Sequence, residues 1–158
     1  MRYPHVCRFI GNRNSSPDVY PAVVEAVGKL IRTGITEFWS GGYGAFDGMG
    51  ERAVLEWKRR GAQVKLVLVL AYPPKPAKDE YGMPTYQRYD ELYQPDLGNV
   101  PPQLAIAKRN AIIARQAGHA LCYVPFPFGG AAKTLEIAQK SGAIIHAVYA
   151  EKNASLRP

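Results

Sequence analysis

Two stretches of this 158-residue chain carry an apolar run into paired glycines and then into a helical pattern: "FWSGGYGAFDGMGE" (38–51) and "FPFGGAAKTLE" (126–136). Gly41-Gly42 and Gly129-Gly130 lack a β-carbon, so main-chain N–H groups there can approach a ligand closely and adopt positive φ. Each pair feeds a helix N-terminus, where unpaired N–H groups and the helix dipole attract an anion. Phosphate is the natural occupant. The competing reading is a pair of tight strand-to-helix turns with no ligand. Neither stretch matches GxxxxGK[ST] or GxGxxG, which takes support from the ATP-loop and NAD-loop chemistries.

The elements that must position these turns follow from periodicity. Residues 5–11 read as a first strand and residues up to Arg32 as a helix, with Tyr20, Val23, Val24, Val27, Leu30 and Ile31 on one face of a 3.6-residue period. Strands at 35–40, 63–72, 119–126 and 143–150 alternate with helices at 47–61, 102–117 and 130–141. Such alternation implies parallel pairing through right-handed crossovers. The expected fold is α/β, a three-layer Rossmann-like sandwich with a five-stranded parallel sheet in the order 3-2-1-4-5. Residues 1–150 form one domain in this reading, and 151–158 a C-terminal tail. The proline- and tyrosine-rich stretch 73–101 is expected to be a lid, with a short helix near 84–92.

In a sheet of this order ligands bind beyond the carboxyl ends of the strands, where connections diverge. That point lies between the first and fourth strands. The loops around it supply Gly11 and Arg13, then Ser40, Gly41, Gly42, Phe46 and Asp47, and finally Gly129, Gly130, Ala131 and Thr134. The Arg13 guanidinium has the fork geometry to take a phosphate. Asp47 has two readings: a cap accepting backbone N–H bonds, or a holder of a ribose hydroxyl.

The totals set limits. The length suits a single domain with one sizeable core. The longest apolar run, 66–72, is far short of the roughly 20 residues a membrane-spanning helix needs. The N-terminal segment shows no secretory pattern, so a cytoplasmic protein is expected. Cys7 and Cys122 sit inside apolar runs and read as inert thiols. His5, His119 and His146 stand singly, without zinc spacing, and neither a metal nor a cofactor is expected. A formal charge of +7 suits nucleic acid or a phosphorylated small molecule equally. The Lys58-Arg59-Arg60 group has the plainer reading of cations at a helix C-terminus.

The motifs resemble those of the SLOG (SMF/DprA-LOG) superfamily, and within it the small YpsA-like bacterial proteins. "FIGNR" (9–13) is similar to their "FTGHR"; "SGGYGAFD" (40–47) and "GGAAKTLEIA" (129–138) resemble their two glycine turns, and "AIAKRN" (105–110) their Arg-Asn helix start. The resemblance implies a nucleotide or nucleotide-derived phosphorylated ligand, bound by a sensor or regulatory protein, with Arg109 and Asn110 joining the site. The residues alone leave Arg109 as readily an exposed helical arginine. A second branch, Lonely Guy, hydrolyses the N-glycosidic bond of nucleoside monophosphates with a PGGxGTxxE motif. By that likeness Glu136 would be the catalytic acid and Arg109 its partner, although Phe128, Ala132 and Lys133 depart from the motif. Glu136 is also well spaced for ion pairs with Lys133 and Lys140. The DprA branch implies a third function, single-stranded DNA binding with stacking tyrosines. A homodimer is a further implication of the resemblance.

Overall fold

The computed structural model describes residues 2–73 and 86–149. In the first strand, β1 (Tyr3–Gly11), residues Val6 to Ile10 are all buried, the pattern of a strand covered on both faces. Alternation sends Cys7 and Phe9 to one face and Val6, Arg8 and Ile10 to the other. Helices α1 (Tyr20–Arg32) and α2 (Ala45–Arg59) pack over the first face, around Phe9, Phe38, Leu66 and Leu121. Helices α3 (Ala105–Gln116) and α4 (Gly130–Lys140) close the second, where Ala114 and Ala138 meet Ile10 and Ala120.

The remaining strands are β2 (Glu37–Ser40), β3 (Lys65–Val69), β4 (Glu91–Tyr93), β5 (Ala117–Tyr123) and β6 (Ile144–Ala147). All pair in parallel, in the order β4-β3-β2-β1-β5-β6. The expected order is present within it as β3-β2-β1-β5-β6. The sheet has six strands where five were expected, because β4 extends one edge. It comes from the stretch read as lid and short helix: Tyr86–Arg88 is a turn and Glu91–Tyr93 a strand.

Long-range contacts explain that difference. The Asp90 carboxylate accepts the Leu66 N–H at 2.7 Å and pairs with Lys58, while the Tyr93 ring packs 5.3 Å from that of Trp39. Three residues are too few to show a period of their own. The remainder of the expected lid, residues 74–85 with Tyr81, lies outside the described residues, as does the 151–158 tail. No helix among the described residues is long and apolar enough to cross a membrane.

Candidate functional site

A cleft of about 530 Å³ opens at the carboxyl end of β1, between β1 and β5, the place where connections to opposite faces part. Gly11 and Arg13 reach it from β1, Gly41 and Asp47 from the first glycine turn, Arg109 and Asn110 from α3, and Gly129, Gly130, Ala131 and Thr134 from the second turn. Both turns therefore face one cleft.

They share a backbone device. The residue before α2 is Gly44, at φ 91°, ψ 171°, and the residue before α4 is Gly129, at φ 99°, ψ −179°. This region is essentially open to glycine alone, which gives the two motifs their common requirement. The first turn's matching position is thus Gly44, two residues beyond the pair that draws the eye.

The turns differ in what fills them. In the first, the Tyr43 N–H donates to Asp47 Oδ2 at 3.2 Å, the Gly41 N–H is also bonded to Asp47, and the Gly42 N–H donates to Ser40 Oγ at 3.0 Å. The protein's own carboxylate sits where an anion was expected. No side chain caps either helix, but the Ala45 N–H of α2 donates to the Arg13 carbonyl at 2.9 Å, whereas at the second turn a β-carbon built on Gly129 or Gly130 would meet no atom within 4 Å. The first-turn N–H groups of α4 are free to bind an anion.

Two buried arginines line the same cleft. Arg109 is 5 % exposed, which corrects the reading of it as an exposed helical residue. Its Nη1 donates to the Val69 and Gly41 carbonyls at 2.8 and 3.2 Å, and its Nε to Asn110 Oδ1 at 3.1 Å. Arg8 is 6 % exposed and donates to the Asn110 and Phe9 carbonyls. Neither guanidinium has a carboxylate within salt-bridge distance among the described residues. Burial pulls the Arg8 pKa down to about 10, with the Arg109 charge adding to the effect and Asp47 opposing it. Burial lowers Arg109 as well. Asp47, open to the cleft on one side, is pushed up to about 7 by burial and by Glu51, against the pull of the two arginines.

The other expected site residues lie elsewhere. Ser40 is fully buried and donates to Glu51 Oε2 at 2.6 Å; that carboxylate also takes Tyr89 Oη at 2.7 Å and Arg88 at 3.2 Å. Strand alternation turns Ser40 toward α2, away from the cleft. Gly42 packs under Leu68. Phe46 is a core residue, 1 % exposed, lying against Gly11. Glu136 is not in the cleft: its position on α4 places the carboxylate on the exposed face, 2.7 Å from Lys140 Nζ.

Sequence reasoning missed Arg8, whose place in an apolar strand disguised it, and Asn12, Asn14, Tyr43, Ile106, Phe126 and Phe128, which also line the cleft. The Phe126 and Phe128 rings stack 5.7 Å apart and are 53 % and 72 % exposed. Exposed rings flanking a glycine turn were the available signal. Among the described residues no group of three or more His, Cys, Asp or Glu could hold a metal.

No protein-family model and no curated protein matches the chain. Solved structures do. DNA processing protein A (DprA) from Streptococcus pneumoniae matches at 19 % identity and a TM-score of 0.66, over 89 % of this chain and 49 % of that one. DprA from Helicobacter pylori, described with a single-stranded DNA binding mode, matches at 14 % identity and a TM-score of 0.65, over 91 % and 65 %. The molybdenum cofactor binding protein from Rippkaea orientalis matches at 17 % identity and a TM-score of 0.58, over 93 % and 77 %. The chain spans about half the length of the pneumococcal protein. The likeness defines a class of fold, Rossmann-like with a parallel sheet. More narrowly, the fold is like that of DprA and of the molybdenum cofactor binding protein.

Proposed function

We propose that the cleft binds a nucleotide or nucleotide-derived phosphorylated small molecule, its phosphate seated on the N-terminus of α4, in a protein that senses or regulates. The observation that carries this reading is a pair of buried guanidiniums, Arg8 and Arg109, with no ion-pair partner among the described residues, lining one cleft with a helix end that no side chain caps. Asp47 opposes the two charges only from beyond ion-pair distance. Burying a cation without a paired anion costs several kcal/mol, and a bound phosphate would offset that cost. Arg13, held 4.4 Å over the Tyr43 ring at the rim, adds a third cation. Ser40, Gly42 and Phe46 act from behind, fixing the turns. Within SLOG-type proteins the motifs resemble the YpsA-like group, and a cytoplasmic setting fits that resemblance.

Single-stranded DNA is the second reading, favoured by the exposed Phe126–Phe128 stack and by the fold shared with DprA. Phosphoribohydrolysis through Glu136 has less support, since that carboxylate pairs with Lys140 outside the cleft. A thermal-shift panel of nucleoside 5'-monophosphates, cyclic nucleotides and a single-stranded oligonucleotide separates the readings. A small ligand present at about 100 times its Kd raises stability by about 2.7 kcal/mol. A mononucleotide shift that persists at high salt supports the cleft. A shift from the oligonucleotide alone, falling steeply with salt, selects DNA. No shift from any phosphorylated compound overturns the proposal.

A further inference from the structure

The contents of the cleft go beyond a phosphate site. Among the described residues lining it, Asp47 is the sole carboxylate, set among Arg8, Arg13, Arg109 and three asparagines. The Asp47 charge partly balances the buried Arg8 and Arg109, and its side chain also lines the cleft. Asp47 accepts backbone N–H groups from Tyr43 and Gly41 and makes no ion pair among the described residues. A carboxylate offers about four acceptor positions, so two backbone bonds leave capacity toward the cleft. On the second turn, Phe126 and Phe128, stacked on each other and both largely exposed, line the same space. Rings left exposed beside a polar cleft suit a planar partner.

The geometry points to a ligand with three parts: a phosphate for the α4 end, a flat heteroaromatic ring for Phe126 and Phe128, and a ring edge carrying adjacent N–H donors for Asp47. That edge is the 2-amino-4-oxo pattern of a guanine or pterin, whose ring N–H and amino group match the two oxygens of a carboxylate. An adenine edge offers an acceptor beside its amino group and meets the carboxylate lone pair to lone pair. A cleft of about 530 Å³ lies in the range of roughly 300–1,000 Å³ usual for such ligands. This inference rests on the phosphate reading above and adds the discriminating residue, Asp47, and the ring class.

Calorimetric titration of the full chain with GMP, AMP and ribose 5-phosphate tests it. The parent is expected to bind GMP at least about tenfold more tightly than AMP, because an unmatched polar group in a built site is heavily penalised. Asp47→Asn should bring GMP and AMP to within about twofold of each other, since the amide offers one acceptor where the edge needs two; ribose 5-phosphate reports the separate effect on phosphate of removing a negative charge near the arginines. Phe128→Ala, at a position too exposed to affect folding, should weaken both nucleotides by about fivefold or more and spare ribose 5-phosphate. Equal binding of GMP and AMP by the parent overturns the edge assignment while leaving the phosphate cleft standing. An Asp47→Asn effect equal on all three probes also overturns it, since Asp47 would then act only through its turn. Absence of binding by every probe, ribose 5-phosphate included, removes both readings together.

Discussion

Asp47 is a carboxylate whose surroundings oppose its charge. Its pKa stands near 7 in the fold against 3.8 for an unperturbed aspartate. The folded state thus holds the proton more tightly than the unfolded one, and the stability linked to that proton is present in full below about pH 4 and lost as pH rises through about 7. Asp47→Asn keeps an acceptor for the turn and abolishes this titration. Its melting temperature should match the parent's near pH 4 and exceed it by a margin that widens up to about pH 7 and then levels off. A margin that narrows with rising pH would make Asp47 a stabilising partner of Arg8 and Arg109 instead. Legibility at this scale was mixed. Gly41, Asp47 and Gly129 could be read because glycines and charges stand out beside turns, while Arg109, inside α3, was pointed to only by the resemblance. Arg8 could not, since its strand looks like any buried strand until Asn110 and Phe9 supply carbonyls for its guanidinium.

The elements hold the cleft open through close approach. A β-carbon on Gly11 would sit 2.2 Å from Phe46 Cγ, so α2 lies against the end of β1 with no room for a methyl group. Overpacking of this kind costs about 1–3 kcal/mol. Gly11→Ala should lose that much in chemical denaturation and weaken ligand binding as the turn shifts. A variant as stable as the parent would show that Phe46 yields freely and does not fix the turn. The four long helices were legible because their period repeats over many residues, and five of the strands because their apolar runs alternate with those helices. Helix α2 begins at Ala45, two residues before the expected start, because Gly44 adopts a φ that only the glycine signal hints at. β4 was hidden by its length. His119 and His146 read as isolated residues, yet β5–β6 pairing brings their ring nitrogens to 2.9 Å. Register of that kind is settled by the sheet as a whole.

At the scale of the whole molecule, a charge of +7 becomes specific only where the fold gathers cations. Lys58 and Arg60 are paired with Asp90 and Glu56, while Arg8, Arg13 and Arg109 line the same cleft as the α4 end, without carboxylate partners in salt-bridge range among the described residues. Doubly wound topology does this by setting the ends of β1 and β5 side by side with α3 and α4 above them. The relative order of five of the six strands agrees with the expectation, and the cleft lies where that order puts it; which turn stays open was not readable, because only coordinates show Asp47 filling the first. The central claim, that an anion seats on the open end of α4, has a direct test at Gly130, where φ is not positive and a side chain meets no atom. Gly130→Ala adds only a methyl group, whereas Gly130→Asp places a carboxylate at the helix start, where it stabilises by about 0.3–1 kcal/mol. Calorimetric titration with GMP and AMP should find Gly130→Ala binding like the parent and Gly130→Asp binding at least about tenfold more weakly, with a melting temperature no lower than the parent's. Undiminished binding by Gly130→Asp would contradict the account.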